Sequence, residues 1–368
     1  MKITIDRKTF ADALMDVAPF APAKTPVPVL KYAKITTKGK RMKIEANDTN
    51  AGIARYIDVI DSDSDGSFLV DISAFSKFVQ KINGDTMDVC ADGTTVEVTH
   101  CKGKAEFASD NPDLFPSFRI EENDARDIVI PASTLKEIIN KGKSFVATDT
   151  LRPQLCAIYV YKKDTELGFF ASDTRKLIYG RYANNDNSET SWLIAPTCFS
   201  ALSKLCAAGG DVNVKVSDTH AVYRLGNTII QTCLPNGKFP DCKRLIPQDF
   251  AIECALDKSE LNDSLARLSL FSGDTQLIKF QISRMDMVMS CDNISKMEKS
   301  SETLAHSGCT GEITIGANIS NMAAAINSFG VSDIVMKMND ESKPIVITSA
   351  SEDNILVLVM PMRFASYD

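Results

Sequence analysis

Three stretches of the chain open in the same way: strict alternation of apolar and polar residues passes into apolar positions spaced for a helix. Lys2–Asp6 leads to Phe10, Leu14 and Val17; Asp127–Pro131 leads to Leu135, Ile138 and Ile139; Phe250–Cys254 leads to Leu261, Leu265 and Leu268. A period of two that becomes a period of 3.6 marks a strand feeding an amphipathic helix. Each third then reaches a strand that ends in a small polar turn, Asp48-Thr49, Asp173-Thr174 and Asp292-Asn293, where the Asp or Asn is expected to bond its own backbone. A second helix is predicted over Ser73–Ile82, Thr197–Ala207 and Asn318–Ile326. In the first of these Phe75, Phe78, Val79 and Ile82 fall on one face, and Gly84, Gly209 and Gly330 stand where the three helices should stop. Further alternating strands follow, such as Met87–Ala91 and Thr95–Thr99 around the turn pair Asp92-Gly93.

A period of about 120 residues is too long for a solenoid and predicts three like domains. Their expected limits are 1–124, 125–248 and 249–368, with boundaries in the polar stretches Glu121–Arg126 and Pro247–Asp249. Each domain reads as two units of strand, helix and strands, which makes the fold class α+β with mainly antiparallel sheets. A length of 368 residues suits three cores better than one.

Composition narrows the function. Apolar residues are 44% and charged residues 24%, the balance of a globular protein. No apolar run approaches the roughly 20 residues that span a bilayer, and the opening residues lack the apolar stretch of a signal peptide, so a cytoplasmic protein without membrane contact is expected. The ten cysteines are scattered without a C-x-x-C pair, a spacing that predicts reduced, mostly buried thiols rather than metal ligands or disulfides. Lys and Arg number 41 against 48 Asp and Glu, a formal charge of −7. A protein that held DNA on an open face would be basic, so any DNA contact must be confined to a protected cationic surface.

Catalytic signatures are missing. The three histidines lie far apart in sequence, and there is no phosphate-binding loop, dinucleotide fingerprint or nucleophile elbow. No catalytic residue, metal ligand or cofactor is predicted. An enzyme with a dispersed site and a peptide-binding scaffold that does not handle DNA remain the competing classes.

Three segments carry a family resemblance. Leu358-Val-Met-Pro-Met-Arg363 resembles the V-M-P-M-R ending of bacterial DNA polymerase sliding clamps. Asn236-Gly-Lys-Phe-Pro-Asp241, followed by Arg244–Pro247, is similar to that family's G-[RK]-[FY]-P-D segment, and Ser172–Leu177 to its T-D-[GS]-H-R-L turn. The three occur in order at family-like spacing, and the threefold repeat is the family's domain plan.

The resemblance implies a non-catalytic processivity factor: a homodimeric ring of six DNA-clamp domains, helices lining a central hole and sheets outside. Each domain would hold two β-α-β-β-β units. Such a ring encircles double-stranded DNA without regard to sequence and tethers the replicative polymerase. The clamp loader, repair polymerases and mismatch-repair proteins would bind it by short linear motifs.

Carried over by position, the partner-peptide groove would be walled by Leu155, Thr174, Leu177, Pro240, Leu245, Leu358, Met360, Pro361 and Met362, with Arg175 and Arg363 at its rim. Arg175 and Lys176 stand where the family usually has His and Arg. The chain also continues from Phe364 to Asp368, which raises the question whether this tail crosses the groove.

DNA contacts implied by the resemblance are Lys24, Lys77, Lys81, Lys136, Arg152 and Gln154. Further cations on the predicted helices are Arg7, Lys8, Lys141, Lys143, Lys204, Lys258 and Arg267; the last predicted helix has none, so an uneven lining is expected. The dimer interface would be formed by Lys104 and Phe107 in the first domain and Leu270 and Phe271 in the third.

Overall fold

The computed structural model describes residues 1–116, 125–184 and 189–364. Residues 121–124 of the expected first boundary and 365–368 of the tail lie outside them. Among the described residues there are six α-helices: α1 (Arg7–Val17), α2 (Ile72–Lys81), α3 (Ala132–Gly142), α4 (Pro196–Leu205), α5 (Lys258–Ser269) and α6 (Ile319–Asn327). Around each helix the chain runs strand, helix, then three strands, so the β-α-β-β-β unit recurs six times. The two-residue strand Asp61–Ser62 is an addition to this plan.

The helix starts follow from local chemistry. Asp6, Asp71, Asp257 and Asn318 sit just before α1, α2, α5 and α6, and each side-chain oxygen accepts a bond from a backbone N–H of the first turn, at 2.8–3.1 Å. That satisfies donors the helix itself leaves orphaned. The α4 helix opens on Pro196, whose missing N–H costs nothing at a first helical position. Apolar stripes then seat the helices: Phe10 of α1 meets Phe75 of α2 edge to face at 5.9 Å. Leu261 and Leu265 of α5 and Met322 and Ile326 of α6 are fully buried, or within 1% of it, and Asn327 donates to Asn262 at 3.1 Å between these two helices.

Within each pair of units the first strands are exchanged. Lys2–Asp6 pairs with Thr86–Ala91 from the second unit (Ile3 opposite Val89), while Gly66–Asp71 returns to pair with Tyr32–Lys38 (Phe68 opposite Ile35). The same exchange joins Arg126–Pro131 to Asp211–Val216 and Thr190–Ile194 to Ile158–Lys163. It also joins Ile252–Asp257 to Asp333–Met338 and Ile313–Asn318 to Leu277–Ile282. All of the ladders are antiparallel, as the alternation predicts.

The chain divides into two compact units that cut across the repeats. The first comprises residues 1–136 and 197–234. It holds a five-stranded sheet ending in Gly103–Ala108, and an eight-stranded sheet in which Ala51–Asp58 pairs with Thr228–Cys233. The second comprises residues 137–196 and 235–368. Its eight-stranded sheet is joined where Lys176–Ala183 pairs with Ile355–Val359, and its four-stranded sheet ends in Glu298–Ala305 at one side and Ile313–Asn318 at the other.

The polar turns repeat in two of the three places. Asp48 accepts from the N–H groups of Asn50 and Ala51, and Asp173 from those of Arg175 and Lys176, all at 2.7–3.0 Å. Thr49 and Thr174 beside them share a left-handed φ of 77° and 76°. In the third turn the neighbouring residue takes this part: Asp292 lies within the strand Asp286–Asn293, and Asn293 accepts from Ser295 Oγ and the Lys296 N–H. The thiols are less uniformly buried than their spacing suggested. Cys198, Cys206, Cys242, Cys254 and Cys291 are buried, Cys90 and Cys101 are exposed, and Cys156, Cys233 and Cys309 are half-buried.

At the join of the second eight-stranded sheet Gly180 stands opposite both Phe169 and Ile355. A Cβ there would lie 2.1 Å from Phe169 Cε1 and 2.8 Å from Ile355 Cδ1. Gly180→Ala is therefore expected to lower stability by about 1–3 kcal/mol through overpacking, read as a lower denaturant midpoint; an unchanged midpoint would show that the seam is loosely packed.

Candidate functional site: an apolar groove with a cationic rim

The largest part of the predicted groove assembles within the second compact unit around the sheet join. Antiparallel register sets Leu177 directly opposite Leu358. Leu155 comes from a 3-10 turn, Pro153–Cys156, fixed by the Leu155 N–H to Arg152 O (2.9 Å) and by the Ala147 N–H to Leu155 O (2.8 Å). These three leucines are 2–4% exposed and belong to one buried cluster with Phe170, Phe239, Cys242 and Val346. They form the floor of a cavity of about 800 Å³, in the size range of sites that take a small ligand or a few side chains.

The Asn236–Pro247 loop supplies one wall. Phe239 is buried and stacks on Tyr159 with ring centroids 5.1 Å apart and planes 6° from parallel, which holds Pro240 at the cavity edge. Cys242–Leu245 then turn as a 3-10 helix and leave Leu245 59% exposed. Neither Phe239 as an anchor nor Tyr159 beneath it was anticipated from sequence; the alternation of Tyr159 and Tyr161 along one strand was the available signal. Burial pushes the Cys242 thiol up to about 11, with the neighbouring Asp241 charge adding to it, so this wall carries no reactive thiolate.

The opposite wall is the Asp173 turn and the end of the last strand. The Met360 N–H bonds to Arg175 O at 2.8 Å, which carries Met360, 40% exposed, to the cavity beside Thr174 and Arg175. Beyond Met360 the backbone leaves. Pro361 bridges to Ala317, and the Met362 N–H bonds to Gly316 O at 2.8 Å. Of the predicted wall, Leu155, Thr174, Arg175, Leu177, Pro240, Leu245, Leu358 and Met360 line the cavity, whereas Pro361, Met362 and Arg363 do not. Phe364 sits over Lys279, 5.1 Å from its ammonium, and lines a different cavity. At Gly316 a Cβ would come within 2.6 Å of Met362 O and 2.8 Å of Phe364, so a glycine is needed for this close approach.

The rim is strongly basic. Arg152, Arg175, Lys176, Lys238, Arg244 and Lys343 line the cavity, with no Asp or Glu among its lining residues. Lys176 is held by Asp173 at 3.5 Å and Arg244 by Asp241 at 2.8 Å. Arg152 and Gln154, expected on DNA, thus lie on the groove edge.

The other expected cations separate into two groups. Lys77 and Lys81 on α2 and Lys24 in the loop after α1 are exposed, and none has an ion pair among the described residues; Lys136 on α3 is half-buried. Several others are consumed internally. Lys141 is gripped by Glu352 and Ser328 O, Lys204 by Asp16 at 2.7 Å, Lys258 by Phe329 O, and Arg267 by both oxygens of Glu302 at 2.8 and 2.7 Å. Phe107 is half-buried against Phe75 and Phe78, with centroids at 5.0 and 5.4 Å, on the strand that ends its sheet. Lys104 on the same strand pairs with Glu97 at 2.9 Å, whose bond raises the lysine's pKa and lowers the glutamate's. Leu270 is 76% exposed at the end of α5, and Phe271 beside it is half-buried.

Comparison with known proteins agrees along the whole chain. Family profiles described as the N-terminal, central and C-terminal domains of the DNA polymerase III beta subunit match residues 1–113, 129–241 and 243–363. The Beta sliding clamp of Bacillus subtilis is 23% identical over 99% of this chain and 100% of its own, and that of a Staphylococcus epidermidis strain is 22% identical over 99% of each. Among solved structures, a Pseudomonas aeruginosa sliding clamp bound to griselimycin superposes with a TM-score of 0.94 at 19% identity, covering 99% of this chain and 100% of that one. A Thermotoga maritima beta subunit gives 0.93 at 18% identity with the same coverage.

Thr174 forms part of the groove wall at a φ that β-branched residues rarely adopt. Thr174→Gly is expected to raise stability by about 1 kcal/mol, because release of roughly 1–3 kcal/mol of backbone strain exceeds the added chain entropy. Chemical denaturation measures this, and a drop in midpoint would contradict it.

Proposed function

We infer a tethering function from a plain premise: this chain belongs to the family of bacterial DNA polymerase III beta subunits, the sliding clamps. It is a non-catalytic processivity factor of DNA replication, and DNA and a polymerase are its partners. The observation that carries the proposed mechanism is the apolar groove at the join of Lys176–Ala183 with Ile355–Val359, floored by buried leucines and rimmed by six cations.

In this reading the groove takes a short linear peptide. Its apolar side chains would settle on Leu155, Leu177 and Leu358 between Pro240, Leu245 and Met360, and an acidic flank would meet Arg175 and the rest of the rim. Methionine and leucine re-pack around different apolar partners, which suits a surface shared by several proteins. The proposed users are the replicative polymerase, the clamp loader, repair polymerases and mismatch-repair proteins, all in the cytoplasm. No helix among the described residues is long and apolar enough to cross a membrane.

Two chains would close head to tail. The strands Gly103–Ala108 and Glu298–Ala305 are each last in their sheets, and an edge left open invites pairing with another chain. Phe107 and Lys104 on one side and Leu270 and Phe271 on the other are the proposed contacts between the first repeat, 1–124, and the third, 249–368, with 125–248 between them. Enclosed DNA would touch Lys24, Lys77, Lys81, Lys136, Arg152 and Gln154 through its phosphates alone, contacts that carry no sequence information and exchange readily. The −7 charge of each chain is compatible with this because retention comes from enclosure. At physiological salt a charge is screened beyond about 8 Å.

Two measurements test the reading. Leu245→Ala and Met360→Ala alter exposed side chains, so they should leave the unfolding midpoint in place while weakening capture on a peptide array tiled across the host's replicative polymerase by about tenfold or more. Undiminished capture would remove the groove assignment. Scattering coupled to size exclusion should give a dimer that the clamp loader places on nicked circular DNA and that leaves when the circle is cut; a monomer, or retention on linear DNA, would remove the ring.

A further inference from the structure

Away from the groove, three side chains with metal-binding chemistry converge at the edge of the second compact unit's eight-stranded sheet. Cys254 lies on the edge strand Ile252–Asp257, while His306 and Cys309 lie on the segment that follows Glu298–Ala305. That segment is fastened to the edge strand by Ala255 and Ser307, whose N–H and C=O groups bond reciprocally at 3.1 Å, and by the Thr310 N–H to Glu253 O at 3.1 Å. The register delivers Cys254 Sγ, Cys309 Sγ and an imidazole nitrogen to positions all within 4.8 Å of one another.

The histidine is set up as a ligand. Its Nε2 lies 2.9 Å from Ser283 O; a carbonyl only accepts, so Nε2 carries the proton and the neutral ring has a bare lone pair on Nδ1. Nδ1 is buried and has no hydrogen-bond partner among the described residues. An imidazole whose Nε2 donates to a carbonyl while its Nδ1 stays unsatisfied has one nitrogen fixed and the other free to ligate, the arrangement that orients histidine toward a metal. Packing of two thiols against a ring does not account for that orphaned lone pair, since buried acceptors normally find a donor.

We propose that Cys254, His306 and Cys309 form a binding site for a thiophilic d10 cation, Zn2+ in the first instance. Zn–S bonds of about 2.3 Å and Zn–N bonds of about 2.0–2.1 Å place ligand atoms roughly 3.3–3.8 Å apart in a tetrahedral shell, so the three atoms close by about 1.5 Å at most. Two thiolates and one imidazole leave the fourth position for water. Cys254 is fully buried, whereas Cys309 and His306 are half-buried and give the ion a way in. Without the ion the Cys309 thiol donates to Gly311 O at 3.1 Å. Binding takes one proton from each thiol and delivers both to solvent, with no change of oxidation state. The ion would staple the His306–Thr310 segment to a sheet edge that it already meets through three backbone bonds and through Thr310 Oγ1, which accepts from the Glu253 N–H at 2.9 Å and donates to Ala251 O at 3.2 Å.

The test uses the full chain, stripped with chelator under reducing conditions and reloaded with Zn2+ or Co2+. One ion per chain is expected, with a thiolate-to-cobalt charge-transfer band for Co2+ and a Zn2+-dependent rise in melting temperature. His306→Gln and Cys309→Ser should each weaken Zn2+ binding at least about a hundredfold while melting like the metal-free parent, and Cys101→Ser on the exposed surface should bind as the parent does. Stoichiometry that stays the same in both ligand variants, or a Co2+ complex without the thiolate band, would overturn the site.

Discussion

The antiparallel register between Lys176–Ala183 and Ile355–Val359 is the constraint on which both architecture and site depend. It welds strands more than 170 residues apart in sequence into one sheet, and the same pairing sets Leu177 beside Leu358. A one-residue slip of the last strand would put Leu358 on the opposite face from Leu177, so the sheet cannot shift without dismantling the groove. Burying each leucine is worth about 1.5–3 kcal/mol. The floor is therefore structural core as much as binding surface, and only the exposed rim, Leu245, Met360 and the cations, is free to be tuned for partners.

Charge is handled with similar economy. Lys141, Lys204, Lys258 and Arg267, which the sequence offered as helix-borne cations, are tied to carboxylates or helix-end carbonyls. Exposed cations remain in the first repeat (Lys8, Lys24, Lys77 and Lys81) and the second (Lys143 and Arg152), and the second helix of the third repeat has none. Contacts made to phosphates alone carry no sequence information and exchange readily, which is compatible with the retention by enclosure proposed above.

What was legible in the sequence was local. The switch from alternation to helical spacing survives in each third because an amphipathic face is written in neighbouring residues. The exchange of first strands was not legible, because Lys2–Asp6 has the same pattern whichever strand it pairs with. Met360 lies at the cavity, whereas the backbone leaves it at Pro361 and Met362: their direction is set by Gly316, some 45 residues earlier, where the missing side chain lets the backbone turn away. The meeting of Cys254 with His306 and Cys309 was not legible for the same reason. Spacing along the chain says nothing of Cys254 until one strand edge brings His306 and Cys309 back to it.

The pairing of Ala51–Asp58 with Thr228–Cys233 has a consequence for synthesis. During translation the earlier strand emerges with Arg41–Asn47 on one side and nothing on the other. At about 5–20 residues per second its partner follows roughly 10–35 s later. For that interval the hydrogen-bonding edge of Ala51–Asp58 stays open, and an open edge is a template for pairing with the wrong chain until its own partner arrives.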